Sequence, residues 1–192
     1  MQAGRLKATE LACRRGDRIL FADLSLALGP GEALRVAGPN GTGKSSLIRI
    51  LAGLLPPYAG TLDREGEAGL VDERPALDPH LPLERALSFW EQFDGHAADA
   101  VERLGLEPLR EVPVRFLSTG QKKRAALARL VAQQAPLWLL DEPLNGLDSD
   151  AVRLVEAMVA EHCAAGGLAV VASHQAIRLP GERVLDLPEF AA

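Results

Sequence analysis

A glycine-rich loop between an apolar run and a leucine-rich helical pattern constrains the fold of this chain more than any other feature. Residues 38 to 45 read GPNGTGKS, after the run "EALRVA" and before "SLIRILAGLL". Glycine adopts backbone conformations that other residues avoid, and successive N–H groups of such a loop can point at one anion. Because Lys44 stands at the predicted start of the following helix, we expect that anion to be a phosphate.

The loop matches the spacing GxxxxGK[ST] of nucleotide-binding phosphate loops, and a predicted strand and helix flank it. In that arrangement the loop amides hold the phosphates, Lys44 reaches the β- and γ-phosphate oxygens, and Ser45 ligates Mg²⁺. The alternative is a glycine-rich turn with an incidental lysine. The predicted nucleotide-binding residues of the loop are Gly38, Pro39, Asn40, Gly41, Thr42, Gly43, Lys44, Ser45 and Ser46.

Length and composition indicate one globular domain. With 192 residues, 47% of them hydrophobic, the chain can bury a full core and still carry an inserted subdomain. The first residues contain no apolar segment of signal-peptide length, and no run approaches the ~20 apolar residues of a membrane span. We therefore expect a cytoplasmic protein without direct membrane insertion, in which Cys13 and Cys163 are free thiols.

The charge pattern argues against nucleic acid as a partner. The net charge is −5, and the chain has no basic stripe that would attract nucleic acid or anionic lipid. Membrane attachment would therefore have to go through another protein. The one basic cluster, "QKKR" at residues 121–124, opens a helical pattern, and we expect Lys122 and Lys123 to be solvated there rather than in contact with a nucleotide.

The order of predicted elements indicates an α/β fold. Short strands are predicted near residues 5–12, 19–28 and 33–37, the first two antiparallel and joined by the turn "RRGD". The helix after the phosphate loop is predicted to end near Leu55, before "PPYAG". Later, "PLWLLDE" and "GLAVVASH" are continuous apolar runs that end in polar residues, as expected for buried parallel strands.

Two helical segments interrupt the strand and helix alternation. The stretches "LPLERALSFWEQF" and "ADAVERLGL" have helical patterns bounded by prolines and glycines. We predict that they form an inserted helical subdomain of about residues 74–120, in a single domain whose core covers about residues 1–73 and 121–192. Within the insert, Leu83, Leu87 and Trp90 lie at helical spacing, and they either line a docking cleft or belong to the core.

Two carboxylates end the first of the late apolar runs. In "LWLLDEP" the strand is followed by Asp141 and Glu142 at its carboxyl end. There Asp141 could hold Mg²⁺, and Glu142 could polarise an attacking water molecule. The alternative is an ordinary cap for the next element, but the phosphate loop in the same chain favours a catalytic pair.

The segment 116–148 resembles the signature region of a known family. It reads FLSTGQKKRAALARLVAQQAPLWLLDEPLNGLD and is similar to ATP-binding-cassette (ABC) ATPases, whose usual LSGGQ is here LSTGQ at Leu117 to Gln121. The order of phosphate loop, insert, signature, "DE" strand, "GLD" and "SH" follows that family over nearly the whole chain. The resemblance implies a P-loop NTPase fold with a parallel core sheet and an antiparallel β layer. It also implies hydrolysis of ATP with Mg²⁺.

The resemblance further implies that two subunits share each ATP site. In the family the signature of one subunit meets ATP held by another, so we expect a homodimer with composite sites and integral membrane permease subunits as partners. A helix N-terminus suits this role, because it carries roughly half a positive elementary charge and free N–H groups. The residues expected to act in trans are Ser118, Thr119, Gly120, Gln121 and Asp148.

Three further positions are assigned by the same resemblance. His174 ends "LAVVASH", where the family has a switch histidine that senses the γ-phosphate; the alternative is a structural histidine. Lys44, Glu142 and His174 are then the expected catalytic residues. Glu73 stands where the family has a glutamine that ligates Mg²⁺, and its carboxylate could replace that ligand while adding negative charge. Arg15 stands where an aromatic ring stacks on adenine, and a guanidinium can also stack on a planar ring.

The wording "LWLLDEPLNGLD" with "ASHQ" and the short chain resemble the branch of the family that powers haem export in cytochrome c maturation. This narrower resemblance implies an ATP-hydrolysing subunit held by permease subunits on the cytoplasmic face of the inner membrane. It would drive haem export or release of a haem-loaded chaperone. The alternatives are another small-substrate ABC exporter, a soluble non-transport ABC ATPase and a small-molecule P-loop kinase. Soluble cassette proteins normally carry two cassettes or coiled-coil arms, and a kinase has no use for the signature.

Overall fold

A computed structural model describes residues 4–191, except for the side chain at position 182. The strands are β1 Arg5–Arg15, β2 Arg18–Leu28, β3 Ala33–Ala37, β4 Ala59–Glu65, β5 Ala68–Val71, β6 Leu137–Asp141, β7 Leu168–Ala172 and β8 Arg183–Asp186. The helices are α1 Lys44–Leu51, α2 Leu83–Glu91, α3 Ala98–Arg103, α4 Thr119–Gln133 and α5 Ser149–Ala164. An antiparallel sheet has the order β2-β1-β4, and a parallel sheet has the order β5-β6-β7-β3-β8. The predicted α/β class, with both kinds of sheet, is confirmed.

The antiparallel sheet contains the predicted hairpin and one strand that was not predicted. Strands β1 and β2 pair from Leu6 with Leu28 to Arg15 with Arg18, and the turn between them contains Gly16 at a φ of 59°. That left-handed conformation favours glycine. Strand β4 pairs along the other edge of β1, but only Leu62 of its seven residues is even partly buried. A strand without a buried face lacks the alternation from which strands are predicted.

The parallel sheet is buried on both faces, which explains its continuous apolar strands. Every residue of β6 and β7 is buried. Side chains alternate between faces along a strand, so Leu139 packs with α1 and the antiparallel sheet, whereas Leu140 packs with α4 and α5. Edge strand β8 pairs in parallel with β3 and was not predicted. Both cysteines are buried in these cores as free thiols, as expected.

Helix α1 ends at Leu51, four residues before the predicted end near Leu55. Gly53 follows the last turn with a φ of 77°, and the amide of Leu54 donates to the carbonyl of Arg49 at 2.9 Å. A glycine in the left-handed region just after a helix ends it by turning the backbone away from the helical path. As a result, Leu54 projects to the surface with 67% of its area exposed.

The two predicted helices of the insert are present as α2 and α3, between strand β5 and helix α4. Leu83 and Leu87 are buried in the core cluster, and Trp90 is partly buried against it. The core alternative for these three residues is therefore confirmed, and the docking-cleft alternative is wrong for Leu83 and Leu87. Within residues 4–191, none of the helices is long and apolar enough to cross a membrane.

Candidate functional site

Four neighbouring strands bring polar side chains to one edge of the parallel sheet. The phosphate loop follows β3, the residues Asp72 and Glu73 follow β5, Asp141 ends β6, and His174 comes two residues after β7. In an open parallel sheet, ligands bind outside the carboxyl ends of the strands. The strand order β5-β6-β7-β3 therefore collects the predicted site residues at the usual ligand-binding edge.

The loop from Gly38 to Gly43 has the backbone that its glycines were expected to allow. Gly38, Gly41 and Gly43 have φ values of 142°, 83° and 108°. Gly43 immediately precedes α1, whose free N–H groups open towards the loop. A Cβ atom added to Gly38 would lie 2.9 Å from Cδ of Pro188, so the chain leaves no space there for a side chain. This geometry suits an anion held by backbone amides.

Lys44 is 5% exposed and is held inside the site by the loop and by Glu142. Its Nζ donates to the carbonyl oxygens of Gly38 at 2.8 Å and Pro39 at 3.0 Å. The same nitrogen lies 3.4 Å from Oε1 of Glu142. Buried charges are stable only when they are paired or hydrogen-bonded, and this ammonium meets both conditions without a bound anion. A phosphate would offer it a second anionic partner besides Glu142.

Asp141 provides a buried carboxylate at the end of β6. It is 3% exposed, and its Oδ1 is buried without a hydrogen-bond partner in the described chain. Burial raises the pKa of the Asp141 carboxyl, while a hydrogen bond from the Ser45 hydroxyl partly opposes that shift. A carboxylate oxygen without a donor beside a serine hydroxyl is a donor set that fits a hard cation such as Mg²⁺.

Glu142 has a strained backbone and lies between Lys44 and His174. Its φ is 47°, which is unfavourable for a residue other than glycine and is typical of functional sites. Its amide donates to the carbonyl of Ala172 at 2.8 Å, which holds the residue against the end of β7. His174 Nδ1 lies 2.8 Å from Oε2 of Glu142. For an ionised glutamate this ring nitrogen must carry the proton, since a carboxylate only accepts.

A cavity of about 390 Å³ joins most of the predicted nucleotide-binding residues, although Gly38, Pro39 and Thr42 are not part of its lining. Glu73 lines it with an exposed side chain, and Arg15 lines it at the end of β1. The other predicted residues that line it are Asn40, Gly41, Gly43, Lys44, Ser45, Ser46 and Glu142. Leu20 and Asn145 also line this cavity, although the sequence did not single them out. Asn145 follows the carboxylate pair by three residues, within "DEPLN", and that proximity was the available signal.

The signature residues lie at the N-terminus of α4. Ser118 caps the helix: its Oγ accepts from the amide of Gln121 at 3.2 Å, and its own amide donates to Oε1 of Gln121 at 2.8 Å. Gly120 packs against the loop after β6, where an added Cβ would lie 2.4 Å from the carbonyl oxygen of Gly146. Serine and glutamine thus form a capping box, and glycine is required for close packing. Ser118 and Thr119 are exposed at this end.

The signature and Asp148 do not join the phosphate-loop cavity of their own chain. Asp148 caps α5, with its Oδ1 accepting from the amide of Ala151 at 2.8 Å. Along the described residues, the cavity lining includes neither Asp148 nor the signature residues Ser118, Thr119, Gly120 and Gln121. A role of these residues towards ATP therefore needs a second chain, and it stays a prediction.

Lys123 is where the sequence-based expectation is wrong. It was expected to be solvated, yet it is 7% exposed, with its Nζ donating to the carbonyl oxygens of Asp72 at 3.1 Å and Asp141 at 3.4 Å. Burial lowers the pKa of Lys123, and the surrounding carboxylates oppose the shift. No local pattern distinguishes it from Lys122, which is partly exposed and donates to the carbonyl of Arg115.

Comparisons with known proteins agree with this geometry. The family model described as "ABC transporter" matches residues 21–145. The cytochrome c biogenesis ATP-binding export protein CcmA of Novosphingobium aromaticivorans is 57% identical over 190 residues, covering 99% of each chain. The protein of the same name from Zymomonas mobilis is 46% identical and is matched over 98% of this chain and 86% of its own.

Solved structures support the same architecture. An ABC transporter ATP-binding protein from Pyrococcus furiosus superposes with a TM-score of 0.84 at 19% identity, over 98% of this chain and 100% of that chain. The structure of cbiO1 from Clostridium perfringens, described as part of the ABC transporter complex cbiONQ, gives a TM-score of 0.71 at 26% identity. It covers 88% of this chain and 78% of that chain.

The position of Glu73 leads to a prediction about metal dependence. If its carboxylate lies near Mg²⁺ and the γ-phosphate, Glu73→Gln should change the Mg²⁺ concentration needed for half-maximal ATP hydrolysis by at least about threefold. Binding of ATP without Mg²⁺ should stay nearly the same. An ATPase assay across Mg²⁺ concentrations measures this, with Glu65→Gln on β4 as an acidic control. An unchanged Mg²⁺ curve for Glu73→Gln would mean that Glu73 is a solvated loop residue.

Proposed function

The chain belongs to the ABC transporter family of ATP-hydrolysing subunits, and from this premise we propose that it is the ATP-binding subunit of an exporter in cytochrome c biogenesis. The observation that supports ATP hydrolysis best is the buried carboxylate of Glu142, held between Lys44 at 3.4 Å and His174 at 2.8 Å above the phosphate loop. The cytochrome c assignment is supported by relatives whose names state that role and which match nearly the full chain. Haem, or a haem-loaded chaperone, is the cargo we propose.

Binding of ATP would use the loop and Lys44 together. The amides from Gly38 to Ser45 and the N-terminus of α1 would receive the phosphate oxygens. Lys44 would exchange its carbonyl partners and Glu142 for phosphate, which frees the carboxylate for water. At the other end of the cavity, Arg15 and Leu20 would lie against the base, with the guanidinium stacked on adenine.

The residues that would hold Mg²⁺ are Ser45, Asp141 and Glu73. When bound, the cation would neutralise part of the phosphate charge. The orphaned Oδ1 of Asp141 supports this assignment, because a cation would supply the partner that the described chain does not. Glu73 contributes a carboxylate to the same cavity in place of the amide that the family uses.

Glu142 would act as the general base for the attacking water. Its Oε2 is oriented by His174, and its Oε1 becomes available once Lys44 turns to phosphate. Since His174 is 40% exposed and follows β7 directly, its ring can also reach towards a γ-phosphate in the cavity. A general base contributes typically 10²- to 10⁴-fold to the rate, which sets the scale of its loss.

A second copy of the chain would complete each site. The exposed N-terminus of α4 offers amides, a hydroxyl and a helix dipole to a phosphate, but these groups lie outside the cavity of their own chain. In a head-to-tail homodimer, Ser118, Thr119, Gly120 and Gln121 would meet the ATP of the partner subunit. Asp148 would cross the interface beside them.

The membrane partner would dock on a groove next to β5. A groove of about 270 Å³ lies between β5, α4 and the segment after α1, and its lining combines apolar residues such as Leu54 and Leu70 with the charged residues Asp72, Arg74 and Arg129. Phe89 on α2 and Phe93, which follows that helix by two residues, are further exposed aromatic side chains of the chain. Through this groove, permease subunits would hold the protein peripherally on the cytoplasmic face of the inner membrane.

Replacing the proposed base should separate ATP binding from ATP hydrolysis. Glu142→Gln keeps the shape of the side chain and removes its charge, so ATP should still bind while hydrolysis falls by about 10²- to 10⁴-fold. ATP trapped in this variant should hold two chains together. Size-exclusion chromatography with ATP and Mg²⁺ should therefore show a dimer, and a monomer under all conditions would contradict the composite site.

The docking groove can be tested with a charge placed at its rim. Leu54→Arg should lower co-purification with co-expressed permease subunits by at least about tenfold, because the new cation would lose its water on docking and would add to the positive charge of Arg74 and Arg129 in the groove. Val184→Arg is the matched control, since Val184 is an exposed apolar residue on β8, at the opposite edge of the sheet. If both variants or neither lose the permease, the membrane partner does not dock on this groove.

A further inference from the structure

Lys123 connects the signature helix to the ends of two strands that carry site residues. It belongs to the first two turns of α4, and its ammonium is buried between the end of β5 and the end of β6. The residues responsible for ATP binding in the phosphate loop do not hydrogen-bond to it in the described chain. The proposed function therefore leaves this buried cation without a role.

The two carbonyl groups that Lys123 binds lie where the ladder between β5 and β6 stops. The last pair of that ladder is Val71 with Leu140, and Asp72 and Asp141 come next on each strand. The ammonium donates to both of these carbonyls and so bridges the strands one position beyond the ladder. The residue after this bridge is Glu73 on one strand's continuation and Glu142 on the other's.

A second contact joins α4 to the same region. Gly120 packs on the carbonyl of Gly146, in the loop that follows Glu142, with no room for a methyl group between them. The N-terminal part of α4 is thus fixed at two points, Lys123 and Gly120, to the backbone on either side of the proposed base. If the N-terminal end of α4 moved, the backbone on either side of the proposed base would therefore move with it.

We propose that Lys123 is a positioning residue for ATP hydrolysis. By holding the backbone carbonyls of Asp72 and Asp141, it fixes the orientation of the next residues, Glu73 and Glu142. This inference rests on the proposed ATPase function and deepens it. Without the ammonium, these two carbonyls lose a donor, and the neighbouring carboxylates of Glu73 and Glu142 lose a nearby cation. The base would then lose its alignment with water, while the phosphate loop, on β3 and α1, would keep its own geometry.

The test compares Lys123→Met, Lys123→Arg and Lys122→Met in steady-state ATPase assays of the full chain. For Lys123→Met, which keeps the length of the side chain but no donor, we expect kcat to fall at least about tenfold while KM for ATP changes less than about twofold. Lys123→Arg keeps a cation with several donors and should recover kcat to within about threefold of wild type. Lys122→Met removes the same charge one residue away and should keep kcat near that of wild type.

Several results would overturn this role. They are an unchanged kcat in Lys123→Met, an equal loss in Lys122→Met, and a rise in KM that accounts for the whole defect. If Lys123→Met does not fold, Lys123→Gln replaces it, and a wild-type kcat in that variant would also overturn the proposal. Failure of the ATPase assignment itself is recognised separately, because the wild type would then hydrolyse no ATP and Glu142→Gln would have no effect.

Discussion

The buried ion pair between Lys44 and Glu142 is the interaction on which the rest of the site depends. It joins the end of the phosphate loop to the end of β6, and both residues are buried, with exposures of 5% for Lys44 and 8% for Glu142. A buried ammonium and a buried carboxylate are tolerable only together, because each would otherwise be a desolvated charge without a partner. In the function that we propose, an incoming phosphate would replace Glu142 as the partner of Lys44, so nucleotide binding and release of the proposed base would be two aspects of one exchange.

The two-sided burial of the parallel sheet makes that exchange possible. Strands β3, β6 and β7 are fixed by apolar packing on both faces, so the carboxyl ends that carry the loop, Asp141 and His174 hold their relative positions. Backbone carbonyls just beyond these strand ends have no partner in the sheet, and lysine side chains donate hydrogen bonds to them instead. Lys44 takes the carbonyls of the loop, and Lys123 takes the carbonyls beyond β5 and β6. Both donors are lysines, whose long flexible side chains can reach carbonyls at the edge of the sheet.

The sequence predicts the parts of this protein that follow from local chemistry. The phosphate loop, the acidic pair after β6 and the buried strands are each marked by residue types that few other structures require. The ends of parallel strands share one edge, which accounts for the proximity of Lys44 and Glu142, whereas His174 is assigned by the resemblance to the family. The comparisons confirm the ABC family that the signature and the motif order indicated.

What the sequence could not predict depends on distant contacts. Strand β4 exists because it pairs with β1, while its own side chains are mostly exposed. Lys123 is buried because the ends of β5 and β6 need a donor, and its neighbour Lys122 on the same helix is not. For these two features the missing information is tertiary. The end of α1 at Leu51 is the exception, because Gly53 is a local stop signal within a leucine pattern that continues to Leu55.

The central claim is that Lys44 exchanges Glu142 for the phosphates of ATP. Equilibrium binding of ATP to Lys44→Ala tests it most directly, with the exposed residue Lys7 on β1 changed to alanine as the control. Charged hydrogen bonds contribute about 1.5–3 kcal/mol each, so affinity for ATP should fall roughly 10- to 100-fold and hydrolysis should be lost. Wild-type affinity and turnover in Lys44→Ala would contradict the account.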